Sequence, residues 1–231
     1  MPFLSRASAW REQYPSLRYI APFGFFLLFL AISPRIPLDP RWESPIRVLL
    51  LGLICYVCWP REISTRPSRW VASTVIGAIV FLIWIAPDVL IPGYRNSPLF
   101  SNSVVGHVHS SMQPEALRSP WVLAWRSVRA VIIVPIVEEL FWRAWLLRWL
   151  INTDFEKVPL GTYSPFAFWL TALLFASEHG PYWDVGLVTG VIYNLWMIRS
   201  KSVADCILMH AVTNAILSGY ILATSQWQYW Q

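Results

Sequence analysis

Charge is what this sequence has least of. Only 13% of its 231 residues are Asp, Glu, Lys or Arg, about half of the ~25% usual in a soluble domain. That scarcity excludes a disordered chain, a coiled coil and an ordinary cytosolic enzyme. Cysteine is scarce too. Three of them, Cys55, Cys58 and Cys206, make an odd number and no disulfide framework. Cys55 and Cys58 have redox or metal-pair spacing, but they stand i, i+3 inside an apolar run and read as buried packing thiols. No basic run is interleaved with aromatics, which argues against nucleic acid even at a net charge of +5. Internal repeats and low-complexity tracts are also lacking.

Apolar side chains take the place of the missing charge. They make up 56% of the chain, with 15 Trp, 12 Phe and 9 Tyr, and mean hydropathy is +0.47. This composition fits a polytopic membrane protein of one domain, since a membrane helix with its loop uses about 30 residues. Apolar runs fall at about 17–33, 46–59, 70–85, 121–150, 165–179, 183–198 and 203–224. They predict an all-α transmembrane bundle of about seven helices, several short of the ~20 residues of a perpendicular span. The start, with Arg6, Arg11 and Arg18 before an apolar stretch, resembles a signal peptide. Pro34 makes cleavage unfavourable, so the first run reads as an uncleaved helix. Ala86-Pro87-Asp88 reads as a helix stop. His107 and His109, in the polar stretch 87–119, read as a solvated loop pair.

Basic residues in alternate connectors (Arg61, Arg66, Arg69, Arg148, Lys157, Arg199, Lys201) orient the N-terminus to the cytoplasm, against the vote of Arg35, Arg41 and Arg47. The expected location is a bacterial inner membrane. Lipid is then one partner.

The polar residues inside apolar runs carry the chemistry. A carboxylate at the centre of a membrane helix costs roughly 2.5–3.5 kcal/mol on insertion scales. Glu138 and Glu139 stand in tandem within 132–142. Glu139 and Arg143 are i, i+4 and can pair on one face. Glu138 lies about 100° away and needs a partner from another helix, a metal or a proton. The fifth run brings His179, with Phe175 at i−4. The seventh brings His210 and Asn214 on one face. Counted from the cytoplasmic ends, Glu138 lies ~16 Å deep, His210 ~14 Å and His179 ~21 Å. The four should share one water-accessible cavity opening on the cytoplasmic side. Glu178 and Asp184 read as solvated turn carboxylates, and Asp205 as a helix-N-terminal acid.

Glu138-Glu139-x-x-x-Arg143, Phe175-x-x-x-His179 and His210-x-x-x-Asn214, in that order, resemble the three motifs of the CAAX prenyl protease type II family, also called CPBP intramembrane proteases or the Abi family. The resemblance covers about 120–224, including the spaced glycines of 186–199. This divides one structural domain into N-terminal helices with a polar loop (1–119) and a CPBP-like catalytic bundle (120–224). The size is similar to that of a bacterial branch linked to exosortase systems.

The resemblance implies an intramembrane endopeptidase acting on a membrane-associated peptide or protein, lipidated or not. It implies that Glu138 and His179 activate a water and that His210 and Asn214 stabilise the oxyanion, with Glu139 and Arg143 in support. The chemistry agrees: a carboxylate beside an imidazole can be a general base, and an amide can donate to developing charge. No cofactor is required. Zinc is admissible, with Glu138, His179 and His210 as its ligands and water as the fourth. A non-catalytic immunity or scaffold protein of the same family, and a proton-coupled transporter, are the rival classes. The complete motif set favours the enzyme, and no inverted repeat favours the transporter.

Overall fold

The computed structural model describes residues 13–36 and 38–230. Arg6 and Arg11 lie outside the described residues. Seven long helical runs follow one another: α1 Leu17–Ile32, α2 Pro40–Cys58, α3 Trp70–Leu90, α4 over 120–149, α5 Pro165–Ser177, α6 Trp183–Ser200 and α7 Val203–Thr224. No strand occurs among the described residues beyond an isolated bridge between Asn102 and Gly106.

Two helices, α3 and α7, are long and apolar enough to cross a membrane on length and composition alone. Helices form at all seven of the expected runs, but the other five do not meet that measure. The physical reason is length and charge. At 1.5 Å per residue, α5 reaches only about 20 Å and α1 about 24 Å, against a hydrocarbon core of ~30 Å. α2, α4 and α6 carry ionisable residues. The surface nonetheless has inverted polarity. Leu49, Leu53, Leu82, Leu173 and Leu195 are all more than half exposed, while Glu139, Arg143, Asn194 and Asp205 are fully buried. Large exposed aliphatic surface of this kind needs an apolar surrounding.

α3 runs through Pro87 to Leu90, where Ile91 N–H bonds the Pro87 carbonyl. The predicted stop at 86–88 is therefore four residues early. A proline in the last turn removes a single intrahelical bond and does not end the helix. One core joins both halves of the chain: Tyr19, Phe23 and Leu51 pack in the same cluster as Leu140, Tyr193 and Met209. Cys55, Cys58 and Cys206 are buried and outside any disulfide.

α3 lies along α7. Gly77 permits this, since a Cβ there would stand 2.4 Å from the Met209 carbonyl oxygen. At the other end of the same pair Asp205, in the first turn of α7 as expected, is fully buried. It accepts from Ser68 N–H (2.9 Å), Ser68 Oγ (2.8 Å), Arg69 N–H (2.8 Å) and Ser73 Oγ (3.0 Å). One carboxylate thus satisfies donors at the start of α3 from inside α7. Asp205→Ala would orphan all four and is expected to cost on the order of 3 kcal/mol, read as a lowered unfolding midpoint in detergent, with Asp205→Asn intermediate.

Asp184 is not solvated either. It receives Arg95 Nη1 at 2.6 Å and Tyr94 Oη at 3.1 Å, and Arg95 also pairs with Asp88 at 3.0 Å. The loop after α3 is thereby tied to the start of α6. His107 bonds Ser101 through Nδ1 (2.6 Å), and exposed His109 donates from Nδ1 to the His107 carbonyl (2.7 Å).

Candidate active site

α4 is not a uniform helix. It is α-helical over Pro120–Val128, widens to a π-helix over Arg129–Ile133, returns over Val134–Glu139, widens again over Leu140–Leu146 and closes over Leu147–Trp149. The two carboxylates end the short stretch between the wide turns. Pro135 explains a consequence of the first widening. Val134 N–H bonds back to Arg129 O, five residues earlier. In that register the next donor would serve Ala130, but Pro135 has no N–H. The Ala130 carbonyl is left over, and Asn214 Nδ2 on α7 donates to it at 2.8 Å. Asn214 therefore stitches α7 onto the break in α4.

Glu139 is fully buried, and its Oε1 accepts two bonds: from Arg143 Nη1 at 3.2 Å and from His210 Nδ1 at 2.8 Å. The sequence argument foresaw the first partner and missed the second. The Arg143 guanidinium stacks over Phe175 (4.3 Å) and Tyr193 (5.1 Å). Tyr193 also sits 5.2 Å from the His210 ring, and its hydroxyl donates to Thr213 Oγ1 at 3.0 Å. A carboxylate can only accept here, so His210 Nδ1 carries the proton and Nε2 is its other, uncommitted nitrogen.

His179 lies just past α5, and its Nδ1 donates to the Phe175 carbonyl at 2.7 Å. The same logic leaves Nε2 as its basic nitrogen. Phe175 at i−4 is thus the main-chain anchor of the imidazole. The glycines of α6 make room for this turn. A Cβ on Gly186 would stand 3.2 Å from the His179 ring, and one on Gly190 would stand 3.2 Å from Ala172.

Glu138 differs from its neighbour. It is 7% exposed, and its buried Oε2 has no hydrogen-bond partner among the described residues. A buried carboxylate oxygen without a donor is costly and is rarely retained without a role.

Glu138, His179, His210 and Asn214 all line one cavity of about 560 Å³. Two helices, α4 and α7, and the turn after α5 deliver them. Glu139 and Arg143 stand behind it, holding His210. Tyr193, Thr213 and Trp84 also line it; nothing in the sequence pattern marks Tyr193 or Trp84, whereas Thr213 stands beside Asn214 and at i+3 from His210. Glu178 reaches the cavity as an exposed rim residue.

The expectation placed the mouth of the cavity at the end of the bundle where α3 and α7 start. Beyond the polar cluster its lining is instead Trp84, Arg126, Tyr182, Tyr229 and Trp230, from the end where α3 and α7 finish and α4 and α6 start. Trp142, Leu146, Met197 and Cys206, on the other side of the cluster, are buried and do not line the cavity.

Among the described residues no three His, Cys, Asp or Glu side chains gather closely enough to hold a metal ion. Glu138, His179 and His210 share the cavity without forming a zinc ligand set, so no step is routed through a metal.

No curated protein and no solved structure matches the chain. Residues 120–216 match the family model described as Type II CAAX prenyl endopeptidase Rce1-like. That span begins at the first residue of α4 and takes in every motif residue named above, from Glu138 to Asn214. Through this segment the chain is similar to the type II CAAX prenyl endopeptidases, as the motif residues had suggested.

Proposed function

We propose that the protein is an intramembrane endopeptidase whose Glu138 carboxylate and His179 imidazole activate a water for attack on a peptide carbonyl. The observation that supports this most is the contrast within one cavity. Glu138 has a carboxylate oxygen without a donor, whereas both imidazoles are pinned through Nδ1 and keep Nε2 for chemistry. A base must have its lone pair uncommitted and within reach of water. The second N–H of Asn214 then faces the developing oxyanion, and His210 joins it as the imidazolium, with Nδ1–H held on Glu139 and Nε2–H donating to the oxygen. Glu139 fixes the tautomer of His210, and Arg143 fixes Glu139. The substrate is a membrane-associated peptide or protein, lipidated or plain.

In this reading all seven helices sit in the bilayer, the short ones assisted by interfacial Trp59 and Trp70, and the N-terminus is cytoplasmic. Residues 1–119 then complete one domain with the catalytic bundle. The family match supports a hydrolase of this general kind. The test is cleavage of a quenched fluorescent peptide library by the purified, reconstituted protein, with and without chelator. Cleavage that survives metal removal is the expected result. Cleavage abolished by chelator and restored by zinc would overturn the water-activation scheme.

A further inference from the structure

The end of the cavity farthest from Glu138 is closed by a piece of chain that is not part of any long helix. α7 stops at Ser225, which takes left-handed backbone (φ 58°). The chain then reverses into a single turn, Trp227–Tyr229. Tyr229 and Trp230 are 9% and 3% exposed and line the cavity. The Trp230 carbonyl accepts from Ser111 N–H (3.0 Å) and Ser111 Oγ (3.1 Å). Tyr229 Oη donates to Asp88 Oδ2 at 3.0 Å. Tyr229 also lies 5.5 Å from Tyr182 and 6.1 Å from Tyr220, the Arg126 guanidinium is 5.8 Å from the Trp230 ring, and both side chains pack in a cluster with Val185 and Ile221.

The cavity is the size that holds a drug-sized molecule, so a few residues of a peptide at most. An endopeptidase must admit a chain that continues past the scissile bond. Two routes are on offer. One is a side opening bounded by Leu27, Leu30 and Leu217, where Leu27 and Leu30 are 43% and 40% exposed on the apolar flank. A peptide crossing it would strip its amides of every hydrogen-bond partner, at several kcal/mol per group. The other is the end held by the 226–230 turn. There Asp88 and Ser111 offer an acceptor and donors to a peptide backbone once three polar bonds and the packing of Tyr229 and Trp230 on Tyr182, Val185 and Ile221 are released.

We propose that residues 226–230 form a latch over the peptide entrance, hinged at Ser225, and that the substrate enters there as an extended, water-borne polypeptide segment rather than as an intact membrane helix from the side. The proposal rests on the peptidase reading for its substrate but not for its latch. When the latch is shut, Tyr229 and Trp230 take the place of substrate side chains. When it swings out, Ser111 and Asp88 are released to pair with incoming backbone.

The double variant Ser111→Cys, Trp230→Cys can lock the latch. The native thiols are buried and offer no competing partner. The expected result is at least about a tenfold loss of peptide cleavage on oxidation, restored by reductant, as for a lid that gates turnover. Equal cleavage by the oxidised and reduced forms would overturn the latch and assign the side opening. A second arm does not need catalysis. Thr189, in the cavity wall, is changed to Cys and labelled with a charged, water-soluble thiol reagent. Adding Tyr229→Phe, which removes the Asp88 bond, should raise the labelling rate several-fold by loosening the latch. An unchanged rate would overturn the proposal even if no cleaved peptide were found. Loss of cleavage in both redox states with faster labelling would sink the peptidase reading and leave the latch standing.

Discussion

Glu138→Gln is expected to lower peptide turnover by about 10²–10⁴-fold, the usual contribution of a positioned general base, while the protein stays folded. Both halves of that outcome follow from one observation. The Glu138 Oε2 atom is buried and has no donor. A charge without partners does not hold the fold together, so neutralising it removes a desolvation cost and not a bond. The unfolding midpoint should hold steady or rise. Catalysis should fail because glutamine cannot take a proton from water. Glu139→Gln is the matched control: same chemistry, one residue away, fully buried, and with two bonds to lose. It should unfold more easily. A thermal melt in detergent beside a single-turnover cleavage assay separates the two. Near-normal turnover by Glu138→Gln would remove this residue as the base, and a collapsed melt would show that it is structural.

Much of this site is legible in the sequence because polar residues in apolar runs are expensive. Glu138, His179, His210 and Asn214 stand out for that reason alone, and the structure brings all four to one cavity. The i, i+4 rule was enough to pair Glu139 with Arg143. It could not show that His210, 71 positions on, shares the same oxygen, because a periodic pattern holds no information on the approach of two helices. Helix periodicity likewise placed α7 at 203–224 but could not register the two π-helical turns of α4, which add no residue type of their own. Pro135 was visible. Its effect on Ala130 depended on a five-residue bond register that only backbone geometry reveals. Depth arithmetic gave the cluster a common level and then misdirected the opening, since it measures distance from a helix end and not which end is packed. Local position marks Asp205 as a first-turn acid, which it is, and Asp184 as solvated, which it is not; for neither does it show the partners more than 85 residues away along the chain, the Ser68–Ser73 segment and Arg95.

The buried trio of Glu139, Arg143 and His210 should respond unequally to truncation. Arg143→Ala removes one bond to Glu139 and the guanidinium contacts with Phe175 and Tyr193. It leaves Glu139 still held by His210. Glu139→Ala instead strands a fully buried guanidinium and releases the imidazole together. Breaking a buried pair from one side costs about 3–5 kcal/mol, chiefly from the uncompensated charge left behind. Glu139→Ala should therefore lie at the upper end of that range and Arg143→Ala lower. The double variant removes both charges at once and should be less destabilised than the sum of the singles by roughly 1–3 kcal/mol. Denaturant unfolding of the four proteins in one detergent closes the cycle. Strict additivity would show that the two side chains do not interact in the folded protein. Turnover offers an independent reading of the third member. Arg143→Ala keeps the Glu139–His210 bond, so the imidazole stays oriented. Glu139→Ala frees it, and loss of such an orienting partner typically costs about 10–100-fold in activity at analogous histidine sites. If both variants lost activity equally, charge balance in the bundle, and not the orientation of His210, would be the property Glu139 supplies.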